Sequence, residues 1–193
     1  MAKKLIDRIK ESLAKEGLEP RTRIARQWLK TKMINLRVSR KDFMRDRMRL
    51  RNKSLIGRMY FYFYDPKLKD TLPYYDRFPL VIPIKRLPDG FIGINLPYIS
   101  PKHRIILLDK LSTILNNHDY DETTKLKISY EYLKSASRIF EATPCIKRYL
   151  FAYVQSKFLE ITADEWDIAA LLPVEQFAKE RKNKVWMESK EQF

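Results

Sequence analysis

Apolar residues along this chain change their spacing twice, dividing it into three stretches. From Lys3 to Glu16, Leu5, Ile6, Ile9 and Leu13 recur at the three- and four-residue intervals of one helix face, and Gly17 stands where a left-handed residue would close the last turn. A short amphipathic helix is predicted. Beyond it, Ile24, Trp28, Leu29, Met33, Ile34 and Leu36 form a ragged apolar stripe. Ser39 with Asp42 has the spacing of a capping box and predicts a further helix from about Arg40 through Phe43, Met44 and Met48.

The texture changes at Gly57. "MYFYFY" is aromatic and alternating, and "FPLVIPIKRLPDGFIGINL" holds two β-rich runs around Pro88-Asp89-Gly90, so strands are predicted over 59–64, 80–86 and 91–96. Pro-Asp-Gly combines a fixed φ, a side-chain acceptor and a residue free to take positive φ, which pairs the last two strands as an antiparallel hairpin. Pro79 and Pro83 lack amide donors and place their strand at an edge or at bulges.

After Tyr98 the spacing is helical again. Ser100-Pro101 opens a helix carrying Ile105, Ile106, Leu108, Leu111 and Leu115. A second, from about Thr123, uses Leu126, Ile128, Tyr130, Leu133 and Ile139; a third, from Thr143-Pro144, uses Ile146, Leu150, Val154 and Phe158. Thr162 with Glu165 is another capping box, leading to Trp166, Ile168, Ala169 and Leu172 before Pro173. The predicted class is α+β: a small antiparallel sheet of about three strands packed with a C-terminal bundle of about four helices, preceded by a basic helical arm. The expected divisions are 1–56 for the arm, 57–180 for the compact domain and 181–193 for a polar, mobile tail.

Composition adds limits. With 193 residues, 45% of them hydrophobic, the chain can bury a sizeable core. One cysteine, Cys145, excludes an intrachain disulfide and a Cys-based zinc cluster. The longest apolar run, Met59 to Tyr64, is too short to cross a bilayer, and Lys and Arg recur through the N-terminus where a secretory signal would be apolar. A soluble, unprocessed protein with no membrane partner is expected.

Charge sharpens the picture most. Residues 1–58 hold 19 Lys/Arg against 6 Asp/Glu, whereas residues 59–193 hold 20 against 18. Between Arg21 and Arg58 fall Arg21, Arg23, Arg26, Lys30, Lys32, Arg37, Arg40, Lys41, Arg45, Arg47, Arg49, Arg51, Lys53 and Arg58, opposed only by Asp42 and Asp46. So dense a block predicts a polyanionic partner, with double-stranded DNA first, bound non-specifically and with strong salt dependence. Sequence-specific reading is not expected, since these cations are strewn along the stretch rather than gathered on one recognition helix. The alternative is a structural clamp whose arm binds acidic protein neighbours, with Trp28, Met33, Ile34, Phe43 and Met48 as apolar anchors. In either case the arm is expected to be mobile alone and fixed on binding.

Other chemistry is thin. Tyr60, Phe61, Tyr62, Phe63, Tyr64, Tyr74, Tyr75 and Phe78 could stack on unpaired bases, but alternate members of a strand point to opposite sides, and packing is the preferred role. His118-Asp119 resembles half of a metal site without further ligands at matching spacing. Asp65-Pro66-Lys67, Glu180-Arg181-Lys182 and Glu188-Ser189-Lys190 match the short acid-x-Lys fragment of some nucleases without the acidic residue that should precede it. Phosphate-cradling glycine loops and a nucleophile elbow are absent. Cys145, expected near a helix N-terminus that would lower its pKa, is assigned to packing. No catalytic residue, metal or cofactor is expected, and the protein is not read as an enzyme.

The stretch "GRMYFYFYDPKLKDTLPYYDRFPLVIPIKRLPDGFIGINLPYIS", with "YDETTKLKISYEYLKSASRIFEATPCIKRYL" and "DEWDIAALLPVEQFAK", resembles small virion proteins of T-even-type tailed phages described as DNA end protectors. The resemblance spans about residues 57–180. It implies a structural protein of the virion, assembled in the host cytoplasm within a symmetric multi-subunit structure of portal, neck, tail or baseplate proteins. There it would contact the end of packaged DNA at the head or neck and shield it from exonucleases. It transfers no end-binding residues.

Overall fold

The computed structural model describes residues 5–115 and 145–190, together with Asp119, Asp121, Ile128, Glu131 and Tyr132. Three helices open the chain: α1 (Leu5–Lys15), α2 (Arg23–Met33) and the short α3 (Arg40–Phe43). Gly17, at φ 65°, closes α1 in a Schellman motif: its own N–H donates to Ala14 O at 3.0 Å and that of Leu18 to Leu13 O at 3.1 Å. Thr22 caps α2 by accepting from the Ala25 N–H. Ser39 caps α3 in the same way through Asp42 N, but the helix ends after one turn, so Met48 lies beyond it in the 3-10 turn Arg47–Arg49.

A six-stranded sheet follows, made of β1 (Leu50–Arg51), β2 (Met59–Phe61), β4 (Leu80–Leu87), β5 (Gly90–Asn95), β6 (Ile146–Leu150) and β7 (Phe158–Ile161); β3 (Tyr75–Asp76) and β8 (Phe177–Ala178) form a separate pair. The six strands lie in the order β1-β7-β2-β4-β5-β6, every pairing antiparallel. The expected hairpin is β4–β5, turning on Pro88-Asp89 with Leu87 opposite Gly90. A Cβ on Gly90 would lie 1.8 Å from Tyr149 O, so β6 can come this close only to a glycine. Pro83 sits at a register shift, as a missing donor requires, but β4 is an inner strand rather than an edge.

Two corrections concern the count of elements. The expected helix from Thr143 is replaced by β6 and β7, and β1 forms within the stretch expected as the helical arm, so the sheet among the described residues has six strands rather than about three. Ile146, Leu150, Val154 and Phe158 do recur every fourth residue, but β5 and β2 each leave an unpaired backbone edge that this segment fills. Cys145 is buried before a strand, its carbonyl accepting from Asn95 N, and no helix N-terminus acts on it. The helix expected from Thr123 lies mostly outside the described residues, of which Ile128, Glu131 and Tyr132 are helical. Of the remaining helices, α4 (Pro101–Leu115) and α5 (Trp166–Leu171) follow the expected spacing.

The sheet separates two cores. On one side Met59, Phe61, Ile82 and Ile94 pack with α4 and α5 and also with Ile6, Leu13, Ala25, Leu29 and Met33. The segment expected as a separate arm thus supplies side chains to the central core, because its apolar stripe is long enough to be buried on α5. On the other side Tyr60, Tyr62 and Tyr64 gather with Val81, Phe91, Tyr149 and Phe158, the alternation of "YFYFY" dividing its rings between the two faces. Residues 182–190, expected as a polar tail, form helix α6 (Lys182–Lys190). Val185 is buried, Trp186 Nε1 donates to Pro97 O at 2.8 Å and Tyr74 Oη to Glu188 at 2.7 Å. Asp76 is buried at the sheet's end and held by two donors, Asn95 Nδ2 and Phe78 N, each at 3.0 Å. Burial pushes its carboxyl up to about 6. No helix among the described residues is long and apolar enough to cross a membrane.

Candidate nucleic-acid interface

The fourteen predicted cations divide by what surrounds them. Arg26 is 1% exposed; its Nε donates to Asp167 at 2.8 Å and its Nη1 also pairs with Asp109. Arg40 donates to the carbonyls of Val174 and Glu175 at 2.8 and 2.9 Å, tying α3 to the segment after α5. Arg49 grips Glu165 with both terminal nitrogens, at 2.5 and 2.8 Å, and reaches Asp46 at 3.1 Å. Arg51 and Arg58 both pair with Glu160. All five are tied to the fold, Arg26, Arg40 and Arg49 at buried or half-buried positions and Arg51 and Arg58 at its surface.

Their acidic partners are concentrated. Glu160, Asp164, Glu165 and Asp167 lie within eight residues, and Lys10 joins the set by contacting Asp164 at 2.6 Å and Glu165 at 3.0 Å. Burial of Glu165 favours its neutral form, but the hydrogen bonds from Arg49 and Lys10 outweigh it and hold the carboxyl below its usual value. For Asp167 burial wins and the pKa is raised, with Arg26 opposing the rise. Glu165, expected to close a capping box, serves this cluster; no side-chain bond caps the helix there.

The rest remain available. Arg23, Lys30, Arg37, Lys41, Arg47 and Lys53 are exposed and make no ion pair among the described residues. Lys32 lies over the Trp28 ring, 5.6 Å from its centroid, and Arg45 pairs only with exposed Asp42. Arg21 is half-buried beside Asp167. Of the apolar anchors considered for a clamp, Met33 is in the core and Trp28 and Phe43 pack against it, whereas Ile34 and Met48 are 72% and 80% exposed.

A cleft of about 460 Å³ opens between α1, residues 37–39, α3 and the Arg47–Arg49 turn. Arg8, Arg37, Arg45 and Arg49 line it with Asp42 and Asp46; Leu5, Ile6, Val38, Phe43 and Leu159 form its apolar surface. Arg8 lay outside the predicted basic stretch, because in sequence it stands among the acids of α1 and only the fold brings it into the same cleft as Arg37.

The remaining sequence signals find ordinary roles. Of the eight aromatic residues considered for base stacking, five are buried and Phe63, Tyr74 and Tyr75 are half-buried. Asp65 pairs with Lys69, Glu180 with Lys184, and Glu188 accepts from Tyr74. His118 lies outside the described residues, among which no cluster of His, Cys, Asp and Glu could hold a metal. A family model described as phage T4 terminal DNA protecting protein matches residues 2–189. No curated protein and no solved structure matches the chain.

Proposed function

The chain belongs to the family of the phage T4 terminal DNA protecting protein, and on that premise we propose that it covers the ends of linear phage DNA, binding the duplex non-specifically through exposed cations of its first 58 residues. The observation that carries the reading is the division of those cations. Five arginines are engaged by the fold's own acids and carbonyls, while Arg23, Lys30, Arg37, Lys41, Arg47 and Lys53 are left facing solvent without acidic partners among the described residues. A folded domain gains nothing internal from six such charges, whereas neutralising phosphates releases counterions. Protection by this means is steric: an end that is covered is closed to an exonuclease. We place the protein in the virion, at the head or neck, where packaged DNA has its terminus.

A structural role on neighbouring virion proteins keeps one specific support, the exposure of Ile24, Ile34 and Met48 within the same stretch. The test that separates the two is exonuclease digestion of linear duplex with the full-length chain, across a salt series and against circular competitor. Truncation at Gly57 would strip the core of five side chains, so the comparison is with Lys41→Gln/Arg47→Gln/Lys53→Gln. Protection that falls with salt, is lost in the triple variant and survives circular competitor supports end covering. Absence of protection at low salt sinks it in favour of the protein-docking role.

A further inference from the structure

The charges in the cleft do not cancel. Asp42 is matched by Arg45 at 2.8 Å, and Asp46 lies 3.1 Å from Arg49, whose carboxylate partner Glu165 is also met by Lys10; Arg8 and Arg37 make no ion pair among the described residues and stand beside an apolar surface. Phe43, on that surface, is held edge-on by Phe61 with ring centroids 5.2 Å apart. A volume of about 460 Å³ suits a ligand of nucleotide size and is far too small for a duplex. Two cations beside an apolar wall are the complement of one dianionic phosphomonoester with a base attached.

We propose that this cleft receives the unpaired terminal nucleotide of a DNA strand, its 5′-phosphate held by Arg8 and Arg37 and its base laid against Val38 and Phe43. The inference rests on the end-covering reading above and supplies the means by which an end is told from continuous duplex. An internal phosphate is a diester with a single charge, and an internal base must break stacking on both sides to leave the helix. A terminal nucleotide breaks one stack and brings the second charge.

The test uses the full-length chain and fluorescence anisotropy at fixed salt. The ligands are a DNA hairpin with one open end bearing 5′-phosphate, the same hairpin with 5′-hydroxyl, and a closed dumbbell. The phosphorylated end is expected to bind about tenfold more tightly than the hydroxyl end. Arg8→Gln/Arg37→Gln is expected to make the two equal, whereas Arg23→Gln/Lys30→Gln, which removes as much charge elsewhere, weakens both and keeps their ratio. A mismatch at the terminal pair should tighten binding; weaker binding would overturn insertion. Equal affinity for the two ends, with both above the dumbbell, overturns the cleft assignment and leaves end covering intact. Equal affinity for ends and dumbbell overturns both. Free deoxynucleoside 5′-monophosphate that competes as well as the hairpin reassigns the cleft to free nucleotides and also overturns the proposal. Thermal unfolding of each variant at the wild-type temperature shows that a lost ratio comes from the site.

Discussion

Residues 23–33 and residues 37–53 carry similar charge, a net of +4 over eleven residues and +6 over seventeen, yet they do opposite things. The first is one regular helix with Ala25, Arg26, Leu29 and Met33 buried. The second is a succession of short pieces in which no residue is buried; Val38, Phe43, Met44 and Leu50 only lean on the core. Apolar spacing makes the difference. Four-residue steps give α2 a face to bury on α5, and that face draws Arg26 inside with it, whereas residues 37–53 have no sustained period and bury none of their cations, although Arg40, Arg49 and Arg51 reach carbonyls and carboxylates of the fold. Whether a basic residue is drawn into the core therefore follows the spacing of its apolar neighbours, while its pairing at the surface depends on which acids and carbonyls the fold brings near it.

The comparison breaks most visibly at Arg26. Arg26→Ala leaves Asp167 buried without its partner and is expected to cost about 3–5 kcal/mol, read from denaturant unfolding. Asp76, whose partners are amide donors instead of a guanidinium, shows the same problem in milder form. Its folded pKa of about 6 lies above the ordinary 3.8, so its contribution is most favourable below about pH 3.8 and is lost as pH rises through about 6. Relative to Asp76→Asn, the wild type should lose about 2 kcal/mol between pH 4 and pH 7, as followed by thermal melts across that range.

Arg49 stands between the two stretches, belonging to the second by position and to the core by its grip on Glu165. Arg49→Ala should cost about 1.5–3 kcal/mol, because Lys10 still faces the carboxylate. Glu165 has a depressed pKa, so its stabilisation is present above the ordinary 4.5 and lost as pH falls through the lower folded value. That acid-side loss should shrink in the variant. The smallest effect on stability belongs to Lys41→Gln/Arg47→Gln/Lys53→Gln, within about 0.5 kcal/mol. The same variant should flatten the salt dependence of DNA binding by about 0.9 in log–log slope for each phosphate it no longer neutralises. A large stability loss there would mean that the second stretch is structural after all.

Much of this was legible in the chain where local chemistry decides. Gly17 closes α1 and Pro88-Asp89-Gly90 turns the hairpin as their backbone preferences require, and "YFYFY" divides between two faces as period two demands. What was illegible depended on partners far away in sequence. Ile146, Leu150, Val154 and Phe158 satisfy a helical period, and only the open edges of β5 and β2 turn their segment into strands. The polarity of residues 182–190 concealed Val185 and the reach of Trp186 to Pro97. The site divides likewise: the fourteen cations were visible as a class, but the sorting of Arg26, Arg40, Arg49, Arg51 and Arg58 into the fold required Glu160, Glu165, Asp167 and the segment after α5 to be in place.

The clustering of those acids within residues 160–167 fixes an order of events on the ribosome. The cations they pair with, from Lys10 to Arg58, are synthesised between 154 and 102 residues earlier. At about 5–20 residues per second each of these cations therefore waits roughly 5–30 s before its acidic partner is made. Until then the segment lacks the carboxylates that pair with it in the folded chain, so its early cations must be carried through synthesis unpaired by residues 160–167.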